Sequence, residues 1–181
     1  MEICFAGKGI VGSLCQERLE RRKMLFHSLR PGDLVPPCDL LLSAHWPHIF
    51  NERDLAACRI GALNVHNGLL PWGRGADAPS WALVNDTPHG ATVHWLAKGI
   101  DTGDIFYQER LEIPPTCTTD TLYRLTVDLE LKVFDKALEM IQHGRFPAEK
   151  QSKGGSFHNK RDFERILRAA TTNKTKVLRE A

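Results

Sequence analysis

"LNVHNGLLPWGRGADAPSWAL" (residues 63–83) is the stretch on which the reading of this chain turns. It follows an apolar run, sets an Asn and a His two positions apart, and then breaks into a Pro/Gly-rich loop carrying a single Arg. Residues 61–66 read as a strand, and the alternation of a strand puts Asn64 and His66 on one face. After the loop, Asp77 is placed to cap a short helix reaching about residue 84, with Pro79 in its first turn.

Outward from this stretch the chain alternates strands and helices. "EICFAG" (2–7) is a short apolar strand ending in Gly. Residues 10–22 form a helical pattern with Val11, Leu14, Cys15 and Leu19 on one stripe. "KMLFHSL" (23–29) is a candidate second strand, and "RPGDLVPP" (30–37) is a loop. "CDLLLSA" (38–44) has the continuous apolar character of a strand buried on both faces. "ERDLAAC" (52–58) is a short helix. "ATVHWLA" (91–97) and "DIFYQERLEI" (104–113) read as strands joined by "KGIDTG". The clearest helix covers about 120–143. Its buried stripe is Leu122, Leu125, Leu129, Val133, Ala137 and Ile141, with Thr118 or Thr119 as cap and Gly144 as stop.

Composition narrows the classes. A net charge of +2, from 24 basic and 22 acidic residues, singles out neither nucleic acid nor a membrane surface. No apolar run approaches the roughly 18 residues of a membrane span. The start "MEICFAGKG" lacks a basic segment followed by an apolar one, so a cytoplasmic protein is expected. Cys4, Cys15, Cys38, Cys58 and Cys117 are odd in number, scattered and without a CxxC. They read as reduced, buried thiols.

Gly7, Gly9 and Gly12 spell G-x-G-x-x-G between a strand and a helix, the dinucleotide fingerprint. That fingerprint wants an acid about 20 residues on, at the end of the second strand. Here the strand ends in Leu29 and Arg30, and Asp33 comes late, in a loop. The glycines are therefore expected to serve a tight turn. A dinucleotide-dependent oxidoreductase is the rival built on them, and a non-catalytic binding protein that kept the fold is a third reading.

An amide and an imidazole side by side suit acyl transfer to an amine. The imidazole takes the attacking amine's proton, and the amide stabilises the developing oxyanion. A carboxylate would complete the set, and Asp101 in "GIDTG" is the candidate. On spacing alone the pair reads more often as a structural hydrogen bond. The residues around it carry more. Asn64, His66, Leu70-Pro71, Gly73, Arg74 and Gly75 are followed by Gly90, Thr92, Val93 and His94. Asp101 and Gly103 close the series, about 35 residues after the Asn-x-His. In order and spacing this resembles the folate-dependent formyltransferase family over roughly residues 38–144. That family includes glycinamide ribonucleotide, methionyl-tRNA and sugar N-formyltransferases.

The resemblance implies an α/β fold of formyltransferase type, with a mostly parallel, twisted, Rossmann-like sheet flanked by helices. It implies Asn64, His66 and Asp101 as catalytic residues, 10-formyltetrahydrofolate as formyl donor, and a primary amine as acceptor. It places the folate between His45, Trp46, Pro47, His48, Ile49 and Phe50 on one side and Ala97, Lys98, Gly99, Ile100 and Asp101 on the other. Trp46 and Phe50 read equally as pocket lining or core, and His94 as a support for the site or a satisfied structural His. His45 and His48 are too few for a metal, so none is expected. Trp72 and Arg74 in a loop, with Lys160 and Arg161 in the tail, are the candidates for binding the acceptor.

The chain departs from the family pattern in two places. Only about 20 residues separate the first helix from "CDLLL", so the N-terminal half is trimmed. The tail after the long helix leaves no room for a tRNA-binding domain. The expected organisation is a catalytic domain at 1–150 and a C-terminal tail with a short helix at 151–181. The expected acceptor is a nucleotide-linked amino sugar, with glycinamide ribonucleotide the competitor. No nucleic-acid or membrane partner is expected, and the reading allows a homodimer.

Overall fold

The structure, a computed structural model, describes residues 1–162. In chain order the elements are β1 (Ile3–Gly7), α1 (Gly9–Arg21), β2 (Phe26–Ser28), β3 (Cys38–Ala44), α2 (Glu52–Ala56) and β4 (Cys58–His66). They continue as β5 (Arg74–Gly75), α3 (Ala78–Asn85), β6 (His89–Trp95), β7 (Ile105–Leu111), α4 (Thr119–Gln142) and β8 (Phe157–His158). The tail helix expected beyond residue 162 lies outside the described residues.

Six strands form one sheet in the order β2-β1-β3-β4-β6-β7. The first four run parallel, and β6 and β7 are antiparallel to their neighbours. The apolar run of β3 lies at the centre, and Leu40, Leu41 and Leu42 are buried on both faces. The helices α1 and α4 cover one face. Val11, Cys15 and Leu19 of α1 meet Val133, Phe134, Ala137 and Leu138 of α4 over Phe5, Leu42 and Val65. Arg18 and Arg22 of α1 both reach Asp135 of α4, at 3.0 and 3.1 Å.

The other face shows the trimmed half. Between β2 and β3, residues 29–37 run without a helix, and Leu29 and Val35 substitute for one over Cys4, Ala6 and Leu41. The short α2 completes that layer. A reciprocal cap starts it: the Asn51 side chain accepts from the Asp54 amide, and the Asp54 side chain accepts from the Asn51 amide.

Gly7 and Gly12 pack closely, and Gly9 turns the chain at φ 66° with open space around it. A Cβ on Gly12 would lie 2.6 Å from the Gly7 carbonyl carbon, and one on Gly7 would meet the Phe5 ring. All five cysteines are free and buried. Among the described residues no helix is long and apolar enough to cross a membrane.

Candidate active site

Register explains why the chemistry gathers where it does. Asn64 is paired across β4–β6 with His94, and His66 with Thr92. Residues opposite one another on antiparallel strands share a face. The Asn64 amide nitrogen therefore lies 3.3 Å from His94 Nε2. Asp101, in the turn between β6 and β7, closes the group. Its Oδ1 is 3.3 Å from His94 Nε2, and its Oδ2 is 3.7 Å from His66 Nδ1.

Backbone groups fix the two imidazoles. His66 Nε2–H donates to the Gly73 carbonyl at 2.9 Å, which leaves Nδ1 bare toward Asp101. Gly68 has to be glycine here, because a Cβ would sit 2.7 Å from His66 Nε2. His94 Nδ1 donates to the Trp95 carbonyl at 2.8 Å. Its Nε2 then accepts from Asn64 or, with a second proton, donates to Asp101.

Asp101 is held in a left-handed conformation, φ 51°. Gln151 secures this turn, its amide nitrogen donating to the Asp101 and Gly103 carbonyls, both at 2.8 Å. The Gly75 amide donates to Asp101 Oδ2 at 2.8 Å. Burial would raise the Asp101 carboxyl, but His66, His94 and the Gly75 N–H outweigh it and hold the group well below the usual carboxylate range. Burial also dominates at His66, pushing the imidazole down. Asp101 opposes this and His94 adds to it. His66 is neutral at neutral pH, poised to accept a proton at Nδ1.

Asn64 and Asp101 line one cavity of 210 Å³, together with Ser43, Trp46, His48, Ile49, Phe50, Leu55 and residues 96–100. Ala97, Lys98, Gly99 and Ile100 thus sit where expected. His66 lies behind them, 6% exposed. Two residues assigned to this wall are not in it. His45 turns away, with φ 53°, and its Nε2 meets Glu130 Oε1 on α4 at 2.6 Å. Pro47 is also absent from the lining.

Trp72 and Arg74, the loop candidates for the acceptor, are half-buried. Arg74 belongs to β5, which pairs with β8. Its Nε is buried without a partner, as are Asp77 Oδ2, Trp81 Nε1 and His158 Nε2. Asp77 starts α3 by position, but its side chain caps nothing. Lys98 is exposed and 3.7 Å from Glu52. Lys160 and Arg161 are exposed, and it is Phe157 and His158 that reach the loop. The roles of Gln151 and Glu130 escaped sequence reasoning. Glu130 carries the one signal that could have been used: an acid flanking the apolar stripe of a long helix.

The sequence profile of the formyl transferase family matches residues 21–138. The chain belongs to that family. It is 38% identical over 110 residues to the methionyl-tRNA formyltransferase of Methylacidiphilum infernorum, an alignment covering 60% of this chain and 34% of that protein. The chain thus spans about a third of the length of the curated relatives it matches. Among solved structures it resembles the formyltransferase PseJ from Anoxybacillus kamchatkensis, in complex with UDP-4,6-dideoxy-4-formamido-L-AltNAc and tetrahydrofolate. The TM-score is 0.82 at 26% identity, over 96% of this chain and 93% of that one. A likely sugar N-formyltransferase from Mycobacterium tuberculosis shares the fold, with a TM-score of 0.80 at 21% identity over 91% of this chain and 78% of that one.

Proposed function

We propose that this protein transfers a formyl group from 10-formyltetrahydrofolate to the primary amine of a nucleotide-linked amino sugar. The observation that carries the reading is the meeting of Asn64 and Asp101 at the wall of an apolar cavity, with His66 directly behind. The cavity suits the donor. Trp46, Ile49, Phe50, Leu55 and Leu96 offer apolar surface, and Asn64 and Asp101 offer the few convergent polar groups that orient a ring. Its volume is below the usual span of about 300–1,000 Å³ for whole drug-sized ligands, which fits the pterin end alone.

When bound, the folate supplies the formyl carbon on its N10. Asn64 donates its amide N–H to the formyl oxygen as negative charge develops there. His66 accepts the proton that the attacking amine releases, at the one nitrogen left bare, and its positive charge then stabilises the same oxygen. Asp101 stays ionised beside His66 and favours that protonated form. The carbon–nitrogen bond to the acceptor forms, the bond to N10 breaks, and N10 recovers the proton. In this reading residues 1–150 are the catalytic domain and residues 151–181 a tail, of which Gln151, Ser156, Phe157 and His158 brace it.

The sugar acceptor is supported by the likeness to PseJ, whose chain this one matches almost end to end. A second reading, with methionyl-tRNA as acceptor, is favoured by the higher identity to methionyl-tRNA formyltransferases over part of the chain. The test offers 10-formyltetrahydrofolate with nucleotide-linked amino sugars, glycinamide ribonucleotide and methionyl-tRNA, and monitors tetrahydrofolate release. Turnover only with an amino sugar is expected. Robust formylation of either other acceptor, with none of any sugar, would overturn the sugar assignment and leave formyl transfer standing.

A further inference from the structure

We infer that the pair formed by half-buried His45 and buried Glu130 is a positioning device, through which α4 sets the cavity wall at residues 46–50 from behind. The inference rests on the folate reading of that cavity.

His45 is the first residue after β3, and its φ of 53° is left-handed although it carries a Cβ. A residue holds such a backbone only where its surroundings over-determine it. Glu130 supplies that constraint. It sits mid-way along α4, 0% exposed, and its Oε1 is 2.6 Å from His45 Nε2. Its Oε2 is buried with no partner. A carboxylate so placed needs a positive neighbour, and the His45 ring is the group that reaches it. Burial alone would push His45 down, but the bond and charge of Glu130 prevail and raise it. The charge of Glu130 also bears on Cys15 of α1 and on His66.

The aromatic rings after His45 pack on one another. Trp46 stacks on Phe50, with centroids 6.5 Å apart and planes 8° apart, and His48 meets Trp46 edge-on at 5.9 Å. Trp46, His48, Ile49 and Phe50 line the cavity. A path of direct contacts therefore leads from the interior of α4 to the aromatic wall, with His45 as its hinge. The alternative is that the pair merely holds the core together. A buried ion pair is a poor stabiliser, and a well-packed apolar replacement is often neutral or better. The two roles thus separate by experiment.

The test compares the wild type with E130L, E130Q and H45G. Affinity is measured by calorimetry with 5-formyltetrahydrofolate, folding by thermal melts, and KM and kcat with an active acceptor. E130L is expected to melt near the wild type yet bind the folate about tenfold more weakly, because a pre-organised wall has been lost. H45G fits the left-handed backbone and is expected to show the same loss. E130Q keeps an oxygen that accepts from His45 Nε2–H and should recover part of the affinity. The kinetic loss should fall on the KM for the formyl donor, not on kcat. Wild-type affinity in folded E130L and H45G overturns the inference. If E130L does not fold, H45G decides alone. Failure of the wild type to bind any reduced folate sinks the functional reading, and this inference with it.

Discussion

Gly75→Ala tests whether the β5–β8 contact holds the catalytic carboxylate in place. Gly75 has φ 91°, and a Cβ there would run into the carbonyl oxygen of His158. That oxygen is backbone and no rotamer change removes it. The conformational strain alone is about 1–3 kcal/mol for a residue with a side chain. Relieving the clash separates the strands. It breaks Ala76 N–H to His158 O at 2.8 Å and Arg74 N–H to Ser156 O at 3.0 Å, about 0.5–1.5 kcal/mol each. It also shifts the Gly75 amide off Asp101 Oδ2, a bond to an ionised acceptor worth about 1.5–3 kcal/mol. The ladder is only two residues long, so β8 should detach locally while the main sheet stays folded. If the bond to Asp101 acts in the transition state, turnover falls about 10- to 150-fold. Initial rates of tetrahydrofolate release measure this, and hydrogen exchange at residues 73–76 and 156–158 locates the opening. Wild-type turnover with unchanged exchange in the variant would refute the reasoning.

Three further outcomes are expected. Asn64→Ala, His66→Ala and Asp101→Asn should each lower turnover about a hundredfold or more, and Asn64→Ala should leave folate binding largely intact. Near-wild-type turnover in His66→Ala would discard the mechanism. His89 is buried, donates to Thr126 Oγ1 at 2.7 Å, and is pushed down to about 4 by burial and then by His66. The folded state thus binds fewer protons than the unfolded one between about pH 6.5 and 4. This contribution is complete above pH 6.5 and is lost as the pH falls to 4, in all about 3 kcal/mol. Urea unfolding at pH 7, 5.5 and 4.5 should show a shallower acid loss in His89→Gln than in the wild type, and equal slopes would contradict the assignment. Titration with NAD or NADP should give no saturable binding, since β2 is followed by Leu29 and Arg30 and not by the acid that would hold a ribose. Micromolar affinity would revive a dinucleotide site.

The α/β class and the existence of the central elements were legible because these carry strong patterns. The continuous apolar run of β3 and the repeating stripe of α4 leave little choice. Asn64 and His66 share a face by strand alternation alone. Asp101 was open to reading only as a carboxylate in the turn after an alternating strand, and the family resemblance singled it out. The part played by His94 depends on β4–β6 register, which the spacing of either strand does not set. His45 was misplaced because a positive φ turns the first residue of the loop away from the wall that its neighbours build. A two-residue pairing such as β5–β8 has no periodicity to read, so Arg74 read as a loop residue and not as part of a strand. Glu130 and Gln151 act through tertiary contacts with residues 85 and about 50 positions away.

The Gly73 amide finds its acceptor on Ser156, 83 residues downstream, whereas the four parallel strands are complete by His66. On a ribosome adding about 5–20 residues per second, the loop that holds His66 waits roughly 4–17 s for its brace. A nascent chain can thus pair its parallel strands well before its catalytic loop is fixed. Under the proposed function, formyl transfer would report synthesis through residue 158, since a chain halted earlier carries Asn64 and His66 without the Ser156 and β8 contacts around their loop.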